Sequence, residues 1–184
     1  MRLASAAVAV LALALVAPPA SAAQIDPAEL VLREADIPVG FELNREESGI
    51  RSNGTEIKEY PEARVLVRWG RLTGYQAAYT RKTRKLALVY ARADVFRGTD
   101  GARNLLVWAD REYRRAGMAS QKRARVDIGA QGWVHWATGT GLDLSVVVWR
   151  QGRVFAGVMA LGLTKDRTLA LARVQQRRIA AALR

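Results

Sequence analysis

Few residues in this chain are of types that catalyse reactions or bind metals. Its 184 residues contain one histidine, His135, and no cysteine, so the usual ligands of zinc and of most transition metals are lacking. No serine lies in a Gly-x-Ser-x-Gly turn, and Ser145 falls within an apparent strand, which argues against an α/β-hydrolase. We therefore predict no metal, no cofactor and no catalytic residue that a motif would define.

Nucleotide-binding and carboxylate patterns are also incomplete. Gly139-Thr140-Gly141 lacks the third glycine and the following helix of a dinucleotide-binding loop, and no Walker sequence is present. Paired carboxylates occur at Glu46-Glu47 and at Glu59 with Glu62, but in polar segments where solvated charges are expected. A hydrolytic enzyme with an unrecognised carboxylate site stays open as the alternative function.

One short segment, Gly132–Trp136, combines two tryptophans with the single histidine. In a strand, side chains alternate between the two faces, so Trp133 and His135 lie on one face and Val134 and Trp136 on the other. Apolar area from Trp133 and a hydrogen bond from His135 would suit a ligand pocket between sheet and helix. The same pattern fits ordinary core packing around a hydrogen-bonded histidine. Trp133 and His135 are thus candidate pocket residues.

Charge is unevenly distributed along the sequence. The net charge is +12 at pH 7; residues 23–62 contain ten acidic and four basic residues, whereas residues 63–184 contain seven acidic and 24 basic ones. Either the acidic segment packs across the basic body and neutralises part of it, or the basic body meets an anionic cell-surface polymer or lipid headgroups. A solvated basic surface without a specific partner is the third interpretation.

The densest basic run, 81–85, stands between two predicted strands and would form the charged tip of a hairpin. Its candidate anion-binding residues are Arg81, Lys82, Arg84 and Lys85. The run lacks the interleaved aromatic residues of a nucleic-acid platform, and export argues against a genomic target, so nucleic acid is not favoured. The same charges would protect a sheet edge from pairing.

The sequence begins with the features of a cleavable secretory signal. An apolar run of fifteen residues, 3–17, follows a single arginine and is too short to cross a bilayer. Two prolines end the run, and Ala20-Ser21-Ala22 supplies the small residues that signal peptidase recognises. We predict a Sec-type signal peptide over residues 1–22 and one secreted or extracytoplasmic domain over residues 23–184, with no transmembrane segment after cleavage.

The hydrophobic pattern predicts an α+β fold: a mainly antiparallel sheet, ending in a three-stranded meander and covered by helices that include a long C-terminal one. Predicted helices cover Pro27–Glu34, Pro61–Trp69, a segment from Thr99 or Asp100 to Gly117, and Lys165–Leu183. Predicted strands cover Tyr75–Tyr79, Leu86–Phe96, Trp133–Ala137, Leu142–Arg150 and Arg153–Leu161. Glycine-containing turns join the last three strands as the meander.

Two segments carry mixed signals. Glu42–Lys58 is polar and glycine-punctuated, so we expect it to be exposed, with a hairpin turn at Asn53-Gly54. Pro61–Trp69 contains valines that alternate as in a strand, but its proline and Glu62 suit the start of a helix. We therefore predict a helix there.

Three further segments, Ala35–Phe41, Asp127–Ala130 and Val148–Val154, lie at predicted turns and strand edges. With the order of elements, they resemble small exported bacterial domains of the PsbP-like and LpqN-like kind. The resemblance implies a fold and an exported binding or accessory role, without a reaction. Unlike the lipid-anchored members, this sequence has no cysteine to acylate. We expect a basic, non-catalytic binding or interaction domain whose target is an anionic surface or a small apolar ligand.

Overall fold

The computed structural model describes residues 25–81, 87–115, 121–138 and 143–184. The α-helices are α1 (Asn53–Glu59), α2 (Arg64–Arg68), α3 (Thr99–Arg115) and α4 (Lys165–Ala182). The strands are β1 (Glu42–Leu43), β2 (Gly49–Ile50), β3 (Arg71–Arg81), β4 (Ala87–Phe96), β5 (Lys122–Val126), β6 (Gln131–Thr138), β7 (Asp143–Gln151) and β8 (Val154–Leu161). Short 3₁₀ turns cover Pro27–Leu30, Glu34–Asp36 and Pro61–Ala63. The predicted α+β class is confirmed.

The strands of the described residues form one eight-stranded antiparallel sheet. Its order is β1-β3-β4-β8-β7-β6-β5, and β2 also pairs with β3. The predicted meander is confirmed, because β7 pairs with both β6 and β8. Pairing of β4 with β8 joins the meander to the hairpin that β3 and β4 form. No helix in the described part of the chain is long and apolar enough to cross a membrane.

Alternation along β8 divides its side chains between two apolar clusters. Val154, Ala156 and Val158 are buried on the face that α4 covers. Phe155 belongs to the cluster on the opposite face, which α3 and α2 cover. Helices therefore lie on both faces of the sheet. This arrangement covers Trp133 on one face of β6 and Trp136 on the other.

The C-terminal helix α4 follows the predicted pattern closely. Thr164 caps it by accepting a hydrogen bond from the Arg167 backbone at 3.4 Å, and Ala172 and Ile179 are buried against the sheet. Arg178 of the same helix is half-buried and pairs with Asp36 at 2.7 Å, although the helical pattern predicts that this arginine lies largely outside. This pair ties α4 to the N-terminal segment.

The segment Glu42–Lys58 differs from its prediction. Asn53-Gly54 is not a hairpin turn, because the Ser52 side chain accepts a hydrogen bond from the Thr55 backbone and thereby starts α1 at Asn53. Glu56 of this helix is buried although the segment is polar. Ion pairs formed inside the molecule, which a local pattern does not contain, explain its burial.

Two other elements also differ from expectation. The predicted helix Pro27–Glu34 is shorter: Asp26 caps it as expected, but only a 3₁₀ turn over Pro27–Leu30 forms, and the buried Val31 and Leu32 follow it. The basic stretch Lys122–Val126 is the edge strand β5, which the sequence did not predict. The predicted signal peptide, Gly117 and the glycine turn at 139–141 lie outside the described residues.

Candidate functional site

An open cleft of about 540 Å³ lies on the sheet face opposite α4. Its floor is apolar, with Val146 and Val148 from β7 and Phe155 and Met159 from β8. Gly157 occupies the centre of this floor, next to Val148 and opposite Arg92 in the strand register. Because glycine has no side chain, it leaves a depression where a larger residue would fill the cleft.

The walls of the cleft are polar and come from the strands and from the segments around α1. Their side chains carry hydroxyl, amide or charged groups: Glu46, Glu47, Arg51, Glu59, Tyr60, Gln76, Tyr90, Arg92 and Tyr113. The cleft thus combines an apolar floor with hydrogen-bonding walls, the composition that small-molecule sites usually have.

Two smaller cavities adjoin the cleft at Tyr113. An apolar recess of about 250 Å³ lies between α2 and α3 and shares Tyr113 and Phe155 with the cleft. A pocket of about 150 Å³ shares Tyr113 and Met159 with it and is lined by His135. The Tyr113 hydroxyl makes no hydrogen bond to any described residue, and burial raises its pKa. This hydroxyl is therefore placed to hydrogen-bond a molecule in the cavities.

A network of ion pairs forms one end of the cleft. Its members are three guanidinium groups and three carboxylates that balance one another: Arg51, Arg71, Arg92, Glu56, Glu59 and Asp94. Arg92 pairs with Asp94 at 2.7 Å and with Glu56 at 2.9 Å, and the Arg71 Nε donates to Asp94 Oδ1 at 2.8 Å. Arg51 links Glu56 to Glu59.

The buried carboxylate of Asp94 is the centre of this network. Burial by itself would raise its pKa, but the charges of Arg92 and Arg71 outweigh burial and hold the pKa below the ordinary value. Gly74 makes room for the pair, since a Cβ at that position would lie 2.3 Å from Asp94 Oδ1. Hydrogen bonding from Arg51 likewise lowers the pKa of Glu59. Both carboxylates are thus held in the ionised form.

The opposite wall is a short loop that carries Glu46 and Glu47. The Asn44 side chain accepts from the Glu46 backbone at 3.1 Å, and Ser48 accepts from the Ala78 backbone at 2.9 Å. The Tyr90 hydroxyl donates to the Glu47 carboxylate. These bonds attach the loop to β3 and β4, and they fix the Glu47 carboxylate at the mouth of the cleft.

We predict an unusual alkaline titration for Tyr90. Its hydrogen bond to Glu47, together with burial, raises its pKa from 10.0 to about 12. The stability that this bond contributes is complete below pH 10 and is lost as the pH rises through 12. The ultraviolet absorbance of tyrosinate is recorded against pH for the wild type and for Tyr90→Phe. The absorbance that the variant lacks should titrate near pH 12.

Glu47→Gln is the matched variant for this titration, since the amide oxygen can still accept the hydrogen bond but carries no charge. It should return the Tyr90 pKa toward 10.0. Tyr79, whose pKa is also raised to about 12, mainly by burial, should be unaffected. A wild-type Tyr90 that ionises at the ordinary pH would show that this bond does not form.

The predicted pocket residues occupy one face of β6, as alternation required. His135 Nε2 lies 3.0 Å from Asp110 Oδ1 and Nδ1 lies 3.2 Å from Gln121 Nε2. Burial lowers the pKa of His135, although Asp110 opposes this shift. A neutral His135 that donates to Asp110 and accepts from Gln121 satisfies both ring nitrogens. Trp133 packs beneath the Arg123 guanidinium, 3.4 Å from the ring centroid.

Of the four predicted anion-binding residues, only Arg81 lies within the described residues. Its guanidinium carbon lies 5.0 Å above the centre of the Phe41 ring, so the side chain packs on the protein at the end of β3. Lys82, Arg84 and Lys85 lie outside the described residues. The structure does not bring Arg81 into the cleft, and an anion-binding tip stays a prediction.

Glu46, Glu47 and Glu59 were noted as paired carboxylates in the sequence and line the cleft, but the other residues that form the cleft were missed. A usable signal was the run Ala91–Val95, where Arg92 and Asp94 interrupt an otherwise apolar strand. Charges in such a strand need buried partners. Nothing in the local pattern, however, placed Gly157 beside Arg92, because that contact depends on the pairing of β4 with β8.

The fold and the cleft define an α+β domain whose sheet has one face closed by α4 and one face partly open. The chain is similar to the extracellular domain of PknH from Mycobacterium tuberculosis, with a TM-score of 0.56 and 10% sequence identity. The alignment covers 83% of this chain and 94% of that one. At this identity the similarity shows the fold alone. No protein-family model and no curated protein matches the sequence, so the PsbP-like and LpqN-like resemblance stays a prediction.

Proposed function

We propose that the chain is a non-catalytic, exported binding domain that holds a small ligand with an apolar part in the cleft over β7 and β8. The observation that carries the proposal is the cleft itself, with its apolar floor, polar walls and volume of about 540 Å³. Ligand sites usually measure about 300–1,000 Å³. Burial of an apolar ligand on this floor would supply the binding free energy, and the walls would orient it.

The proposed location outside the cytoplasm has two supports. The structurally similar domain of PknH is described as extracellular, and residues 1–22 have the pattern of a signal peptide. Neither support concerns the ligand, so location and ligand are separate parts of the proposal.

A hydrolytic enzyme would use the carboxylates of the same cleft. Hydrolysis by a carboxylate pair requires one member to be held protonated as the general acid. Of the carboxylates that line the cleft, Glu59 is held ionised because Arg51 lowers its pKa, and Glu46 and Glu47 are exposed to solvent. No carboxylate of the cleft is thus shown to be held protonated. Binding without catalysis is therefore the better supported function.

We expect the substitution Gly157→Leu to weaken binding in the cleft strongly. A Cβ at Gly157 would make only ordinary contacts, 3.5 Å from Val148 Cγ1 and 3.7 Å from the Val147 oxygen, so the variant should fold. The added side chain would occupy the floor. The neutral fluorescent probe N-phenyl-1-naphthylamine should bind the wild type saturably and lose about tenfold or more in affinity for the variant, which corresponds to about 1.4 kcal/mol.

Gly98→Leu is the matched control, because a Cβ at that exposed position meets nothing within 4 Å. It should bind the probe as the wild type does. Thermal unfolding followed by circular dichroism would establish that both variants are folded. A folded Gly157→Leu variant with wild-type affinity, or a wild type that does not bind the probe, would refute binding in the cleft.

A further inference from the structure

We infer that the cleft selects an amphiphilic organic cation, with an apolar chain on the floor and an amine or quaternary ammonium group at the mouth. This inference rests on the proposed binding function and adds the charge of the ligand to it. The inference follows from the pairing of the charged groups in the walls, because some of them already have partners in the protein and others do not.

The arginines of the cleft do not provide a site for an anion. Arg92 directs its Nε and Nη2 to Asp94 and Glu56, and Arg51 directs all three of its nitrogens to Glu56 and Glu59. An anionic headgroup that took over these donors would have to displace their partners and leave carboxylates unpaired in a partly buried place. That exchange is costly, so the walls disfavour a negatively charged ligand.

The carboxylates at the mouth are in the opposite situation. Glu46 and Glu47 line the cleft and are exposed, and neither forms an ion pair with a described residue. The Tyr90 hydrogen bond fixes Glu47 without neutralising it. A net negative charge therefore stands at the entrance of a cleft in a protein whose overall charge is strongly positive.

Two tyrosine rings of the cleft, one of them bonded to Glu47, add to the attraction for a cation. Tyr60 and Tyr90 both line the cleft, and Tyr60 is 53% exposed. Tyrosine faces attract ammonium groups, most strongly when the cation is partly desolvated. The apolar floor from Val146 to Met159 then accommodates the chain of the same molecule. Mouth and floor together fit one amphiphilic cation better than a sugar or a phosphate.

The test compares three probes that share one chain but differ in charge: octyltrimethylammonium, octyl sulfate and 1-octanol, each below the concentration at which it forms micelles. Each probe is used to displace N-phenyl-1-naphthylamine from the wild type. We expect octyltrimethylammonium to displace it at a concentration at least about tenfold lower than octyl sulfate does. The preference should decrease at high salt, because the mouth carboxylates are exposed.

The double variant Glu46→Gln/Glu47→Gln should remove most of this preference and leave displacement by 1-octanol unchanged. Asp166→Asn is the matched control, since that carboxylate is 88% exposed on α4, behind the opposite face of the sheet. It should keep the preference of the wild type. Both comparisons use the same chain length, so a change reports the charge of the headgroup.

The outcomes separate this inference from the proposed function. If octyl sulfate displaces the probe as well as the cation does, or if the double variant keeps the preference, the cation inference is wrong. Binding in the cleft still stands in that case, provided that Gly157→Leu weakens the binding of N-phenyl-1-naphthylamine itself. If Gly157→Leu binds N-phenyl-1-naphthylamine as the wild type does, the probes bind elsewhere and both proposals fail.

Discussion

Replacing Arg71 by methionine is expected to lower the free energy of unfolding by about 3–5 kcal/mol. The Arg71 and Asp94 side chains are both 0% exposed, and their ion pair joins the start of β3 to the end of β4. Arg71 also donates to Asn53 Oδ1 at 2.9 Å and to the Arg51 carbonyl at 2.7 Å. Its loss leaves a buried carboxylate with one cation fewer and two acceptors without their donor. Chemical denaturation at neutral pH, compared with the wild type, measures the loss.

Two controls distinguish the buried pair from a general effect of removing a charge. The double variant Arg71→Met/Asp94→Leu should recover part of the loss, because no unpaired charge remains in the interior. Arg33→Met removes an arginine whose pair with Glu29 is exposed, and it should change stability little. If Arg71→Met loses less than about 1 kcal/mol of unfolding free energy, the pair does not have the effect of about 3–5 kcal/mol that breaking a buried ion pair has.

The same pair gives stability a defined dependence on acid pH. Because the pKa of Asp94 is lower in the folded protein than its ordinary value of 3.8, the pair contributes in full above that pH and its contribution is lost as the pH falls. The wild type should therefore lose stability on acidification, and the double variant should lose less.

Replacing Trp149 by alanine is expected to cost about 3–5 kcal/mol. Trp149 is 0% exposed, and its Nε1 donates to the Gln176 side chain at 2.7 Å. Gly129 and Gly132 make room for it: Cβ atoms there would lie 2.8 Å and 3.1 Å from Trp149 atoms. Removing the indole leaves a cavity beneath α4 and an acceptor without its donor.

Trp136→Ala is the comparison for this prediction, because Trp136 is only partly buried. Its loss of stability in chemical denaturation should be clearly smaller than that of Trp149→Ala. If both variants lost the same free energy of unfolding, the tight packing of Trp149 against Gly129 and Gly132 would contribute nothing to stability. A Trp149→Ala variant as stable as the wild type would contradict the described packing.

Elements defined by local patterns were predicted well from the sequence. The helical hydrophobic pattern over Lys165–Leu183 identified α4, and glycines between alternating segments identified the meander. Asp127–Ala130 and Val148–Val154, assigned to turns and strand edges, lie together in the structure, where the Ala130 backbone donates to the Arg150 carbonyl at 2.9 Å. Short-range signals suffice for such elements because caps, turns and periodicity decide them.

Features that depend on distant contacts were not predictable in the same way. Glu56 looked solvated in its polar segment, yet its partner Arg92 lies 36 residues further along the chain. The acidic N-terminal segment does pack on the basic body through the pairs Glu56–Arg92 and Asp36–Arg178, which is the internal interpretation of the charge pattern. The cleft needs β4 beside β8, and no local pattern specifies that pairing.

The most direct test of a ligand site over β7 and β8 is a methyl NMR titration of the wild type with N-phenyl-1-naphthylamine. Val146, Val148 and Met159 line the cleft, whereas Val147 and Val154 lie in the core on the α4 side of the same strands. We predict saturable shifts of the first three methyl groups and small ones for the other two. Equal shifts on both faces, or shifts confined to other parts of the molecule, would show that the cleft is not the binding site.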